Sequence, residues 1–187
     1  YLKNMDKKAL VQLLIPYLQE AELLQVNGNG DKKKFSLKIQ RSHPYTVKET
    51  GESISLESLS EIVALHQERL QKLSEIAEVA DFFFKKELKY DKELLSWKGS
   101  GDQEIVGSLE RSTELLSEID EKNWNKKKLE EILMAEAEAR GDRGKLLWPL
   151  RVAVSGKKAS AGPFEIAGIL GKDKTLQRIK EALSKIQ

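Results

Sequence analysis

The side chains best suited to recognising a ligand gather in one short stretch, SGKKASAGPFEI at 155–166, set between two apolar helical patterns. Lys157 and Lys158 carry mobile positive charge of the kind that holds phosphates without reading sequence. Ser160 can donate or accept a hydrogen bond. Gly162 removes a side chain from the turn, which predicts close approach of a base or phosphate to the backbone. Pro163 is placed to open a helix whose unpaired N–H groups and positive end face the turn, and Ala161 lies between. Just upstream, Arg151 is surrounded by Leu147, Leu150, Val152 and Val154. A guanidinium there is either a buried partner for a carboxylate or a planar fork aimed at a base edge. Trp148 reads as a core ring first and a stacking surface second. Arg69 has Ile62, Leu65, Leu73 and Ile76 as its predicted helical neighbours, so its charge must snorkel outward or emerge in a cleft between bundles. His66, on the same stripe, reads as a hydrogen-bonded core histidine.

This chemistry holds ligands and does not remake bonds. The 187 residues contain no Walker glycine loop, dinucleotide fingerprint, serine-nucleophile elbow or HExxH motif. Hence no catalytic residue and no cofactor site is predicted. With no cysteine and only His43 and His66, no metal site is predicted either, and a reducing, cytoplasmic setting fits. No apolar run approaches the roughly 20 residues that span a bilayer, so no membrane partner is expected. The opening YLKNMDKKAL is no signal peptide, and its tyrosine start suggests a piece cut from a longer protein. Net charge is only +2, yet Arg140, Arg143, Lys145, Arg151, Lys157 and Lys158 face a single acid, Asp142, while 104–121 is acid-rich. Such asymmetry predicts either one positive end that attracts a polyanion or simply a solvated helix face.

The elements that must position these groups are helical. Apolar spacing predicts a helix over 6–25, capped by Asp6 and kinked or divided at Pro16. Residues 27–53 lack helical periodicity, and KFSLKI within them suits a short strand in a small appendage. A capping box at Ser58 and Glu61 then opens one continuous stripe from Leu59 through His66, Leu70 and Ala77 to Phe84. Beyond a boundary near 88, shorter helices follow: one opened by Asp91, one bearing Ile105, Leu109 and Leu116, and one capped by Asn125. Asp142 caps the next, Pro163 starts another, and the last carries Leu176, Ile179, Leu183 and Ile186 on one face. The fold class is all-α, two helical bundles in series, with subdomains at 1–87 and 88–187.

The segment 146–183, with Pro149-Leu150-Arg151, Gly156-Lys157-Lys158, Ala161-Gly162-Pro163-Phe164-Glu165 and Leu170-Gly171-Lys172, resembles the C-terminal end of bacterial glutamyl-tRNA synthetases. YLKNMD, LIPYL and QERLQKLSEIAEVADFFF are similar to the opening and the Glu-Arg helix of that family's anticodon-binding region. Ala161 stands where the family usually has proline, Gln71 and Lys72 replace its basic-then-threonine pair, and 27–53 reads as an insertion. The resemblance implies anticodon contact by Ser160, Ala161 and Pro163, base contact by Arg151, and wobble-base discrimination by Arg69; Lys157, Lys158 and Gly162 join the expected RNA-binding set through the chemistry given above. It implies tRNA(Glu) as partner, leaves tRNA(Gln) open, and suggests a monomer. ATP with magnesium belongs to the parent enzyme, whose adenylate-forming motifs this chain lacks. A helical protein-interaction module without RNA binding is the alternative reading.

Overall fold

The computed structural model describes residues 2–26 and 45–186, so KFSLKI and His43 lie outside the described residues. The chain divides into two compact units, residues 1–86 and 87–187.

In the first unit, Asp6 caps α1 (Lys7–Glu20) by accepting a hydrogen bond from the Ala9 N–H at 3.0 Å. α1 runs unbroken through Pro16, which lies exposed beside Gln12, the residue whose carbonyl proline deprives of a partner. The helix is shorter than its apolar spacing predicts. Glu22 adopts φ 59°, and Leu24 enters a strand instead. Strands β1 (Leu24–Val26), β2 (Tyr45–Val47) and β3 (Ser53–Ile54) form an antiparallel sheet in that order, with Leu24 opposite Val47 and Tyr45 opposite Ile54. Leu24, Tyr45 and Val47 are buried, so the sheet adds to the core that α1 supplies through Leu10, Leu14 and Leu18.

The long stripe predicted from 58 to 84 is not one helix. Its cap is Ser55, which accepts from the Ser58 N–H, and α2 (Leu56–His66) stops at His66. Side-chain hydrogen bonds, one set to a distant segment and one set local, compete with the helix there. Gln67 Nε2 donates to the carbonyls of Leu2 and Met5 at 2.9 Å each, and the Glu75 carboxylate accepts from the N–H groups of Gln71 and Lys72. The remainder is a 3₁₀ turn (Leu73–Glu75), the single-turn α3 (Ile76–Val79) and a second 3₁₀ turn (Asp81–Phe84) that buries Phe82, Phe83 and Phe84.

The second unit opens with a 3₁₀ turn (Lys92–Leu95), shorter than the helix expected after Asp91. It continues as α4 (Asp102–Ser117), α5 (Lys126–Ala139), α6 (Arg143–Ser155), α7 (Pro163–Leu170) and α8 (Lys172–Ser184). Asn125 and Asp142 cap α5 and α6 through their side chains, and Pro163 is the first residue of α7. Leu146, Pro149, Leu150, Val152, Ala153 and Val154 are all buried, which places α6 at the centre with α4, α5, α7 and α8 packed against it. Burying each such leucine or valine stabilises the unit by about 1.5–3 kcal/mol. The buried face of α8 is Thr175, Arg178, Ile179 and Ala182, rotated from the predicted Leu176–Ile186 face.

Candidate functional site

α6 ends at Ser155, and Gly156 follows in the left-handed region at φ 66°. Its N–H returns to the Val152 carbonyl at 2.7 Å, closing the helix. A side chain at 156 would press on Tyr90 Cδ1 and Leu88 Cβ, so glycine answers both backbone and packing demands. The Ser155 hydroxyl then donates to the Arg151 carbonyl and accepts from the Lys157 N–H, stiffening the start of the turn. Lys157 is half-buried and Lys158 exposed. Ser160 donates its hydroxyl proton to the Ala161 carbonyl at 3.0 Å, Ala161 is 2 % exposed, and Pro163 is buried.

Gly162 has an internal neighbour as well. The place a Cβ would take is filled by the Glu165 carboxylate, so the glycine makes room for an internal anion at the amino end of α7. Glu165 also pairs with Lys126 at 2.8 Å, and this hydrogen bond raises the lysine's pKa above its ordinary value. The Trp124 indole N–H donates to the Ala167 carbonyl at 2.9 Å, and the Lys126 backbone lies against Gly168. The segment leading into α5 is thereby fastened to α7.

Arg151 is half-buried on α6. Its Cζ lies 4.4 Å from the centre of the Trp148 ring, and its Nη2 donates to the Lys158 carbonyl at 2.9 Å. The guanidinium thus braces the turn while stacked on an indole. Trp148 is half-buried, donates its N–H to the Leu94 carbonyl at 2.8 Å, and faces Trp97 at 5.3 Å between ring centres.

The basic stretch does not form one positive end. Arg140 pairs with Glu136, Arg143 with Glu138, and Lys145 with Glu104 on the acid-rich α4. The first two pairs are local in sequence, whereas Lys145–Glu104 follows from the α4–α6 packing that local sequence does not display.

Arg69 belongs to the first unit, whereas Arg151 and 157–163 gather around one turn in the second. Because α2 stops at His66, Arg69 is not on an apolar helical stripe; it is exposed in the following turn, its N–H bonded to the His66 carbonyl. His66 is 2 % exposed, with Nδ1 2.8 Å from the Ile62 carbonyl and the rings of Phe82 and Phe83 edge-on at 6.3 and 6.2 Å. Burial, helped by the nearby Arg69 charge and opposed by the Ile62 carbonyl, holds its pKa below the usual imidazole value.

Sequence reasoning missed Trp97, Gly144, Glu165 and Arg178. Arg178 is 2 % exposed and donates from Nη1 to the Val154 carbonyl at the end of α6, where a cation meets the helix's negative pole. Its only signal was its place beside Ile179 in LQRIKEAL.

Residues 9–183 match the family model described as an anticodon binding domain. Glutamate–tRNA ligase of Herpetosiphon aurantiacus is 32% identical over 186 residues, covering 97% of this chain and 32% of the ligase. The corresponding ligase of Clostridium acetobutylicum is 36% identical over 143 residues, covering 74% of this chain and 28% of that protein. The chain therefore spans about a third of the length of these relatives. The crystal structure of a glutamate tRNA ligase from Elizabethkingia meningosepticum, in complex with its amino acid, shares the fold at a TM-score of 0.67 and 20% identity, covering 100% of this chain and 31% of that one.

Proposed function

We propose that this chain, which belongs to the anticodon-binding domain family, recognises the anticodon loop of tRNA(Glu) as part of a glutamate–tRNA ligase. The observation that carries the reading within the chain is the turn after α6. There Arg151 is held over the Trp148 ring and braced to the Lys158 carbonyl, beside the two lysines. Unpaired loop bases expose the edges and faces that a fixed guanidinium can read, and lysines hold the phosphates that present them. Under this reading Ser160, Ala161, Gly162 and Pro163 shape the turn that meets the RNA, and Arg69 is a separate contact on the first unit. ATP and magnesium fall to the remainder of the ligase. A cytoplasmic monomer suits the reading, and among the described residues no helix is long and apolar enough to cross a membrane.

The test is binding of tRNA(Glu) transcripts that differ only in the anticodon, across a range of salt. A preference for the glutamate anticodon, with affinity falling steeply as salt rises, is expected. Lys157→Ala combined with Lys158→Ala should weaken every transcript alike and flatten the slope by about two phosphate contacts. Arg151→Ala should cost roughly 1–3 kcal/mol for the matching anticodon and less for the others. Salt-insensitive binding with no anticodon preference would overturn the reading and favour a protein-interaction module. A tRNA(Gln) transcript in the same series decides whether that RNA is accepted.

A further inference from the structure

We infer that Trp97 is a positioning residue for Arg151: a ladder from Asp142 through Trp97 and Trp148 fixes where the guanidinium points. The inference rests on the anticodon reading above for its consequence, though not for its geometry. Gly144, Trp148 and Arg151 stand four and three residues apart on α6, and so share one helix face. Trp97, half-buried, comes to that face from outside the helix and is held at its backbone, its indole N–H and its ring. Its N–H donates to the Ser100 hydroxyl at 2.9 Å, and its carbonyl accepts from the Ser100 N–H at 2.9 Å. Between them Lys98 and Gly99 both take left-handed φ values, 50° and 82°, which turn the chain sharply. The indole N–H donates to both oxygens of Asp142, at 3.1 and 3.2 Å. Asp142 also caps α6 through the Gly144 N–H at 2.9 Å, so one carboxylate sets both the helix start and the ring.

The ring itself packs against α6. At Gly144 a Cβ would fall inside the Trp97 indole, so the ring sits directly on helix backbone. Trp97 then meets Trp148 with ring centres 5.3 Å apart and planes inclined 40°. Trp148 is held at its own N–H by the Leu94 carbonyl, and Arg151 lies 4.4 Å above it. An arginine side chain has many rotamers, and one that must present a planar fork loses affinity for every rotamer that misdirects it. The ladder removes that freedom before RNA arrives. Trp97 touches neither the turn nor its lysines in this scheme; it acts through Trp148.

The experiment compares the full chain with Trp97→Leu, Trp97→Phe, Arg151→Ala and the Trp97→Leu/Arg151→Ala pair. Two quantities are read: the Arg151 Nε–H resonance, which the Trp148 ring current shifts, and the affinity ratio for two tRNA(Glu) transcripts differing at one anticodon nucleotide. Trp97→Leu should move the Arg151 resonance towards its random-coil position and reduce the affinity ratio by roughly three- to tenfold, the worth of a partly desolvated cation–π contact. Trp97→Phe, which keeps an aromatic face, should restore most of both. With Arg151 already replaced, Trp97→Leu should change the ratio no further. An unmoved Arg151 resonance in folded Trp97→Leu, or an undiminished further loss in the pair, overturns the inference. If Trp97→Leu does not fold, Trp97→Phe decides: a smaller displacement in the same direction supports the ladder, and none overturns it. A wild-type chain that does not distinguish the transcripts defeats the proposed function instead, and the resonance alone then decides whether Trp97 positions Arg151.

Discussion

Glycine at the second residue of α6 would ordinarily be a weak choice, since alanine stabilises a helix by about 0.5–1 kcal/mol relative to glycine. At Gly144 the sign reverses. The atom an added Cβ meets belongs to the Trp97 ring, which is itself clamped by Asp142 and Trp148 and has no flexible end to yield. Overpacking of that kind costs about 1–3 kcal/mol, more than the helix gains. Gly144→Ala should therefore lower the melting temperature of the second unit by roughly 5 °C, read by tryptophan fluorescence. A raised melting temperature would mean that Trp97 does not rest on this backbone. The glycine's meaning lies in a partner 47 positions back in sequence, which is why spacing alone made it only the second residue of a capped helix.

Elements whose limits rest on local chemistry were legible from the residue string. Asp6, Asn125 and Asp142 cap the helices expected of them, and Pro163 and Gly171 bound α7 as their backbone properties require. Where a distant partner decides, spacing misleads. α2 keeps an apolar period past His66, yet Gln67 finds carbonyls at Leu2 and Met5 and the helix ends. The turn at 157–163 was legible as a turn, but the Glu165–Lys126 pair that fills its glycine needed α5 to arrive beside it. Lys172 is a further case. It opens α8, and its Nζ donates to the Ser117 and Ile119 carbonyls at 2.8 and 2.7 Å, serving the C-terminal end of α4. The Ser117 carbonyl ends α4 at its negative pole, and Ile119 lies just beyond the Glu118 cap. Lys172→Ala should cost about 1 kcal/mol by removing a charged donor at a partly exposed site. The expected signature is faster hydrogen exchange confined to the last turn of α4, together with a lower melting temperature. Unchanged exchange there would show that water replaces the lysine without loss.

At the scale of the whole molecule, the buried histidine of the first unit makes its stability respond in mild acid, whereas the depressed carboxylates of both units respond only in stronger acid, and acid should separate the units. In the first unit His66 is buried, and its pKa lies below the ordinary 6.5. As pH falls through 6.5 the unfolded chain takes up a proton that the folded unit refuses, so stability drops until the folded value is passed and then levels off. In the second unit the Trp97 indole N–H first, then the Gly144 N–H, hold Asp142 below its ordinary 3.8. Arg111 and then Arg140 likewise hold Glu136 below 4.5. A depressed carboxylate contributes stability above its unfolded value and loses it only as pH falls towards the folded one, so these contributions persist in mild acid. All three tryptophans, Trp97, Trp124 and Trp148, lie in the second unit, so their fluorescence reports that unit alone, whereas far-ultraviolet circular dichroism reports both. Between about pH 7 and pH 5, where an ordinary imidazole titrates, the dichroism melt should acquire an earlier component while the fluorescence melt stays in place. Below the ordinary aspartate value of 3.8 the fluorescence melt should follow. His66→Leu removes the titrating ring, so it should abolish the pH shift of the early component whatever it does to that unit's absolute stability. Parallel movement of both melts from pH 7 downward, or a shift that survives His66→Leu, would assign the acid response to groups other than this histidine.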